Sequence, residues 1–160
     1  MKYQIRKIKE NDNFKIKDVL ISVMKEFGVP EKGTALADSE LDDMFGSYQN
    51  SRSIYFVVIV GKQVLGGAGI NVLKGENENI CELQKMYFKP KIRKLGIGKK
   101  LIEKCLNFAT TMGYKFCYIE TMNNMKDAQN LYKKYKFIYI NSPLGNTGHT
   151  SCPVWMLKKL

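Results

Sequence analysis

The chain has 160 residues, of which 44% are hydrophobic and 26% charged, and its formal net charge is +11. This length is typical of one domain with its own core, so we expect residues 1–160 to form a single domain. No apolar run approaches the roughly 18 residues that span a membrane, and the first residues lack the apolar core of a secretion signal. We therefore expect a cytoplasmic protein without a membrane partner.

The first half of the chain predicts a strand and a helix followed by three consecutive strands. The predicted elements are a strand over Tyr3–Lys9, a helix over Phe14–Phe27, a short helix beginning near Asp38 or Ser39, and strands over Ser53–Val60, Gln63–Val72 and Ile80–Phe88. Gly66, Gly67 and Gly69 lie inside the second of these three strands. They indicate a bulge, a close approach of the backbone, or a bulky group packed over the sheet.

The second half predicts helices alternating with short strands. A long amphipathic helix begins at Ile97 and ends at Gly113; it is followed by a strand over Phe116–Glu120, a helix over about Lys126–Tyr135, and strands over Phe137–Ile140 and Val154–Leu157. The succession of strand, helix and strand through residues 80–120 predicts a right-handed parallel crossover. The loop Asn141–Pro153 is long for a connection between neighbouring strands, and long loops commonly shape specificity.

A glycine-rich turn joins the strand Ile80–Phe88 to the helix that follows it. Gly96 and Gly98 lack Cβ atoms, so an anion can approach the backbone closely at the positive end of the helix dipole. The turn is either a cradle for a phosphate or diphosphate, or an ordinary connection that requires glycine.

Two motifs at the expected separation resemble the GCN5-related N-acetyltransferase (GNAT) family. The family's acetyl-CoA motif, Arg/Gln-x-x-Gly-x-Gly/Ala, is matched in full by Arg93, Lys94, Leu95, Gly96, Ile97 and Gly98. The pattern Ala-x-x-Leu-Tyr-x-x-x-Gly-Phe is matched by Ala128, Leu131, Tyr132 and Phe137, with Lys136 in place of the glycine. The resemblance covers nearly all elements and implies an α/β (α+β) single-domain fold. Its sheet is mixed and mostly antiparallel, with about six to seven strands, flanking helices and one parallel crossover at the cofactor site.

By this resemblance the cofactor is acetyl-CoA, with its diphosphate on the turn and its pantetheine arm beside the strand that ends at Phe88. The implied cofactor-binding residues are Met86, Tyr87, Phe88, Arg93, Lys94, Leu95, Gly96, Ile97, Gly98, Lys99, Asn124 and Tyr132. Arg93 is either a cation for the diphosphate or a brace for the loop. Many relatives carry an asparagine where this chain has Met125, which leaves Asn123 or Asn124 to replace it.

Acyl transfer to an amine needs a base for the amine proton and an acid for the leaving thiolate. Tyr132 matches the family tyrosine that supplies the proton; the alternative is a helix aromatic that only packs in the core. Glu82 stands where some relatives have a general base. The alternative is that Glu82 is only a solvent-exposed carboxylate at the end of a strand. Alternation puts Glu82 on one face with Gln84, Met86 and Phe88 unless a bulge intervenes.

The acceptor is expected to lie between the loop Asn141–Pro153 and the region Thr34–Tyr48. Glu120 is predicted to bind a cationic acceptor, to act as the base, or to do neither, and His149 is predicted to touch the acceptor or to lie on the surface. His149 and Cys152 offer two metal ligands where a structural zinc site needs four, so no metal is expected. The four cysteines show no CxxC spacing and are expected to be reduced thiols.

The preferred function is therefore transfer of an acetyl group from acetyl-CoA to a primary amine of a small molecule or protein. One alternative is a non-catalytic domain that binds acyl-CoA. Another is a basic module that binds nucleic acid, which the scattering of the lysines along the chain argues against. Many relatives are dimers, so a homodimer is also possible.

Overall fold

The computed structural model describes all 160 residues and contains three α-helices and one sheet of seven strands. The strands are β1 (Gln4–Lys7), β2 (Ile54–Val60), β3 (Gln63–Val72), β4 (Ile80–Phe88), β5 (Phe116–Thr121), β6 (Ile138–Tyr139) and β7 (Val154–Lys159). The helices are α1 (Asn13–Glu26), α2 (Ile97–Thr111) and α3 (Lys126–Lys134). None of these helices combines the length and the apolar character that a membrane crossing requires.

The strands lie side by side in the order β1-β2-β3-β4-β5-β7-β6. Every neighbouring pair is antiparallel except β4 and β5, which are parallel and are joined through α2. The predicted mixed, mostly antiparallel sheet and its single parallel crossover are confirmed. The parallel register covers only Ile80–Glu82 on β4 and Phe116–Tyr118 on β5. Beyond Glu82 the two strands separate, and the gap opens toward the glycine-rich turn.

Each face of the sheet carries its own hydrophobic core. One core packs the buried face of α2, including Leu101 and Cys105, and the α3 residue Tyr132 against the sheet. The other core packs α1 and the 34–48 segment against the opposite face, with Ile16 and Leu20 completely buried. Burial of a large aliphatic side chain stabilises a fold by about 1.5–3 kcal/mol, so both layers contribute to the stability of the sheet.

The glycines of β3 make room for tyrosine rings on the α1 face. A Cβ at Gly67 would lie 2.5 Å from Tyr55 Cε1, and one at Gly69 would lie 2.6 Å from Tyr55 Cδ2. The Tyr55 ring contacts that of Tyr48 with centroids 5.2 Å apart, and its hydroxyl donates to the Lys85 carbonyl at 2.8 Å. The interpretation that the glycines admit a bulky group over the sheet is thus confirmed.

A bulge in the middle of β4 changes which side chains share a face. The register with β3 passes from Gly67 opposite Tyr87 to Gly69 opposite Gln84, and Lys85 adopts a left-handed φ of 50°. Glu82, Gln84, Lys85 and Tyr87 consequently lie on the α1 side, whereas Met86 and Phe88 pack with the α2 core. Met86 and Phe88 therefore do not share a face with Glu82: the extra residue reverses the alternation, which is the exception expected for a bulge.

The short second helix expected after Asp38 is instead a series of 3-10 turns at Ala35–Ala37, Ser39–Asp42 and Gly46–Tyr48. Asp38 is extended, with φ −68° and ψ 123°, and so interrupts any continuous helix. This geometry turns the Asp38 side chain inward, toward the loop that precedes β7.

Candidate active site

The turn before α2 presents a row of unpaired backbone amides. The N–H groups of the six residues from Lys94 to Lys99 donate to no other group of the protein, and no side chain caps the helix. Lys94 and Gly96 adopt left-handed φ values of 60° and 75°. Amides at the positive end of a helix dipole form a binding site for an anion such as a diphosphate.

Gly98 keeps the space beside these amides open. A Cβ at this position would lie 3.4 Å from Leu131 Cδ2, 3.6 Å from Phe88 Cε2 and 3.7 Å from Met86 Cε, which is ordinary contact distance. An alanine would therefore fit the fold but would fill the cradle. The turn thus has the backbone shape that its glycine motif predicts.

Arg93 holds the turn rather than pointing at the free amides. Its two terminal nitrogens bind the Glu26 carboxylate at 2.6 and 2.7 Å, and its Nε donates to the Phe88 carbonyl at 2.8 Å. The guanidinium also lies 5.3 Å from the centroid of the Phe27 ring. Of the two roles predicted for Arg93, this geometry supports the brace.

An outer cavity of about 690 Å³ lies alongside the amides and the gap between β4 and β5. Five cations and one carboxylate line it: Arg93, Lys94, Lys99, Lys126, Lys134 and Asp127. Its apolar side includes Met86 and Phe88 on β4 and Leu131 on α3. Such a cavity suits a ligand with a negatively charged end and a less polar arm.

Tyr132 projects from α3 into the outer cavity. Its ring is buried against Phe137, with centroids 5.9 Å apart, and its hydroxyl has no hydrogen-bond partner in the protein. A fully buried hydroxyl without a partner would be an unsatisfied polar group, and Arg52 Nε is the one side-chain nitrogen or oxygen of that kind. The Tyr132 oxygen is therefore not fully buried and is open to the cavity. Burial raises the pKa of Tyr132, and the phenol therefore carries its proton at neutral pH.

A smaller inner cavity of about 40 Å³ lies on the α1 side of the sheet and shares Tyr87 with the outer cavity. Its polar lining includes Glu82, Gln84, Glu120 and His149. Glu82 is 4% exposed, and its Oε2 accepts a hydrogen bond of 2.6 Å from Gln84 Nε2. Burial, together with the nearby charge of Glu120, raises the pKa of Glu82 to about 7. A carboxyl with this pKa is suited to proton transfer near neutral pH.

A chain of alternating charges lies beside the inner cavity. Lys85 Nζ lies 2.7 Å from both Asp38 and Glu40, and its side chain is only 2% exposed. His149 Nε2 lies 2.9 Å from Asp38, and His149 Nδ1 lies 3.1 Å from Glu120. Burial alone would lower the pKa of His149, but its hydrogen bonds to Asp38 and Glu120 raise it to about 10. The imidazole is therefore an imidazolium cation at neutral pH.

The charge chain fits ion pairing better than metal binding. Ligand atoms of Glu120, His149 and Cys152 lie within 4.8 Å of one another. Both ring nitrogens of His149 already face carboxylates, and burial raises the pKa of the Cys152 thiol to about 12. A metal would need a free imidazole nitrogen and a thiolate, and this site offers neither.

Comparisons with known proteins show which family has this sequence pattern. The sequence pattern of the acetyltransferase (GNAT) family matches residues 20–137. YjgM, an N-acetyltransferase of Escherichia coli (strain K12), is 41% identical over 157 residues, which cover 98% of this chain and 94% of that protein. The chain belongs to the GNAT family of acetyltransferases. This membership confirms the predicted enzyme class, N-acetyltransferase, and acetyl-CoA as the donor.

Solved GNAT structures show the same fold at low sequence identity. A GNAT acetyltransferase of Staphylococcus aureus Mu50 superposes with a TM-score of 0.87 at 19% identity, with 99% of both chains covered. The PaiA N-acetyltransferase of Thermoplasma acidophilum, crystallised in complex with coenzyme A, gives 0.76 at 17% identity over the full length of both chains.

Within this GNAT fold, ten of the twelve residues predicted to bind the cofactor line the outer cavity: Met86, Tyr87, Phe88, Arg93, Lys94, Gly96, Gly98, Lys99, Asn124 and Tyr132. Leu95 is 52% exposed and Ile97 is buried in the core, so only their backbones face the turn. Asn124 Nδ2 donates to the Phe27 carbonyl at 2.8 Å, which leaves the Asn124 side-chain oxygen without a protein partner.

The predicted catalytic and acceptor residues fall into two groups. Tyr132 lines the outer cavity, whereas Glu82, Glu120 and His149 line the inner one. Sequence reasoning missed Lys85 and its partners in the region Thr34–Tyr48. A lysine in the middle of an apolar strand was the available signal, because a buried lysine requires an anionic partner.

Proposed function

We propose that this GNAT protein acetylates a primary amine of a small molecule or protein directly, within a complex that holds both substrates. The supporting observation is the row of six unpaired amides from Lys94 to Lys99 beside the gap between β4 and β5. When bound, acetyl-CoA supplies an activated thioester. The amides and the surrounding lysines neutralise the charge of its diphosphate, and the edge of β4 at Met86–Phe88, which is not paired with β5, orients its arm.

Two side chains are placed to move protons. Glu82 accepts the proton of the incoming ammonium, because its pKa of about 7 leaves a useful fraction ionised at neutral pH. Tyr132 Oη holds a proton that it gives to the leaving sulfur, since burial raises the pKa of this phenol. Tyr87 lines both cavities, and in this proposal the amine occupies the inner cavity while the thioester lies in the outer one.

The decisive experiment is a screen of primary amines with acetyl-CoA, in which free coenzyme A is measured. We expect release that depends on both the amine and the enzyme. Binding of acetyl-CoA without turnover across small amines, peptides and proteins would instead support the non-catalytic alternative. Tight, salt-sensitive binding of DNA or RNA without turnover would support the nucleic-acid module.

Two properties of the whole protein are part of the proposal. The four cysteines are free thiols, three of them buried, which is typical of a reducing compartment and supports a cytoplasmic location.

Ile138 and Tyr139 on the edge strand β6 are 65% and 51% exposed and offer a surface for a homodimer. Light scattering at several concentrations tests the dimer, and a constant monomer mass would remove it.

A further inference from the structure

We propose that the acceptor is a compact amine with no anionic group next to its reacting nitrogen, so that the enzyme favours an amine over the corresponding α-amino acid. The inference rests on the proposed function and assigns a substrate class to the inner cavity. It comes from the charges and the volume of that cavity, taken together.

Every cation around the inner cavity is already paired. Lys85 is held between Asp38 and Glu40, and Lys74 also binds Glu40 at 2.9 Å. Both ring nitrogens of His149 are directed at carboxylates. An incoming carboxylate or phosphate would therefore find no free cation and would have to displace a buried ion pair, which is costly.

One carboxyl group has no cation partner. Around the inner cavity, four carboxyl groups (Asp38, Glu40, Glu82 and Glu120) face three cations (Lys74, Lys85 and His149). Glu82 is the unpaired one, and its only hydrogen bond in the protein comes from Gln84. An ammonium group entering the cavity supplies the missing positive charge, whereas an anion would meet like charges.

The volume of the cavity sets a second limit. About 40 Å³ gives room for roughly three water molecules, at the ~10–15 Å³ that each requires. This space holds the reacting ammonium group, and the rest of the acceptor must lie outside it, so the charge next to the nitrogen decides which acceptors are favoured. The outer cavity has the opposite charge, since five cations line it. The enzyme thus separates a positive site for its anionic donor from a negative site for its acceptor.

The test uses sets of three compounds that share one amine. Ethanolamine, serine and serine methyl ester form one set, and ethylamine, alanine and alanine methyl ester form another. The ester is larger than the amino acid by one methyl group and lacks the carboxylate charge, so a good ester cannot be explained by smaller bulk. Values of kcat/KM are measured from pH 7 to 9 and compared per protonated amine, because the three amines differ in pKa and the ammonium is the form that enters the inner cavity.

We expect the amine and the ester to exceed the amino acid by at least tenfold. An amino acid as good as its amine would overturn the inference and leave the proposed function intact. An ester as poor as the acid would show that bulk, not charge, decides, and would overturn the electrostatic argument. Acetylation of peptide amines alone would also overturn it, and no turnover with any acceptor would count against the proposed function itself.

A variant adds an independent readout. Glu120→Gln removes one negative charge from the inner cavity and should reduce the preference for amine over amino acid several-fold, with little change in the KM for acetyl-CoA. Glu78→Gln is the matched control, because Glu78 is exposed and forms only one ion pair, a long contact of 3.8 Å with Arg52. An unchanged preference in Glu120→Gln would contradict the role of charge.

Discussion

At the scale of single residues, Tyr132 is the side chain best placed to act as an acid. Its hydroxyl faces the outer cavity without a protein partner, and burial raises its pKa. We expect Tyr132→Phe to lower kcat by about 100-fold, within the ~10²–10⁴ that general acid catalysis contributes, and to leave the Kd for acetyl-CoA nearly unchanged. Steady-state kinetics and calorimetry measure the two quantities. Undiminished turnover would exclude Tyr132 as the acid.

Glu82 makes a prediction about pH. Its carboxyl group must lose a proton before it can act as a base, so kcat/KM of the natural enzyme should rise with pH through an apparent pKa of about 7. In Glu82→Gln the enzyme depends on amine that is already neutral in water, so the rise should move toward the pKa of the amine, near ~10. A profile identical to that of the natural enzyme would reduce Glu82 to a structural role.

The sequence could predict these residues only where a local motif contains them. Tyr132 and the turn 93–98 follow from spacing along one continuous segment. Lys85 could not be assigned a partner, because Asp38 and Glu40 lie more than 40 positions away and nothing local selects them. His149 was recognised as a candidate, but its two carboxylate partners, which make it a cation, come from separate elements of the fold.

At the scale of elements, the start of α2 combines two demands on one residue. Gly98 lies inside the helix, where alanine is favoured by roughly 0.5–1 kcal/mol, yet a Cβ there would fill the space beside the free amides. We expect Gly98→Ala to keep or slightly raise the melting temperature while weakening coenzyme A binding at least tenfold. Gly96→Ala is the comparison, because its φ of 75° makes that change destabilising. Unaltered coenzyme A affinity in Gly98→Ala would contradict the cradle.

The segment 143–152, which we call the strap, is held beside the inner cavity by hydrogen bonds to several elements. Asn146 N donates to the Lys74 carbonyl at 2.6 Å, Ser151 N to the Gly33 carbonyl at 2.9 Å, and Thr147 Oγ1 to Glu120 at 2.9 Å. The sequence predicted that this loop borders the acceptor. The bonds that fix it join residues far apart in the chain and required the structure.

His149 gives the strap a pH-dependent stability. Its pKa rises from an ordinary value of 6.5 to about 10 in the folded state, so its contribution is full below pH 6.5 and is lost as the pH approaches 10. We expect His149→Gln to lower the free energy of unfolding by about 3 kcal/mol at pH 6.5 and by much less at pH 10. Urea unfolding at both pH values measures this difference. Thr147→Val is the control: it removes a hydrogen bond to Glu120 that a neutral hydroxyl donates, so its effect on stability should be about the same at both pH values.

At the scale of the whole molecule, the sheet is divided by the gap between β4 and β5. The strands β1–β4 and the strands β5, β7 and β6 are joined through only three register pairs. The sequence predicted the parallel pair, since a strand, a helix and a strand follow one another. It did not predict the bulge at Lys85, because a bulge depends on packing against β3.

A ligand that spans this gap should stabilise the fold as a unit. A ligand bound only by the folded protein adds about 2.7 kcal/mol at 100 times its Kd, which corresponds to roughly 5–10 °C for a chain of this size. We expect coenzyme A at that concentration to raise the melting temperature by this amount, and 0.5 M salt to reduce the shift, because the diphosphate contacts are ionic. Adenosine, which has no diphosphate, should give little change. A shift below 1 °C with coenzyme A, or an equal shift with adenosine, would mean that the amides of residues 94–99 do not hold the anionic part of the donor.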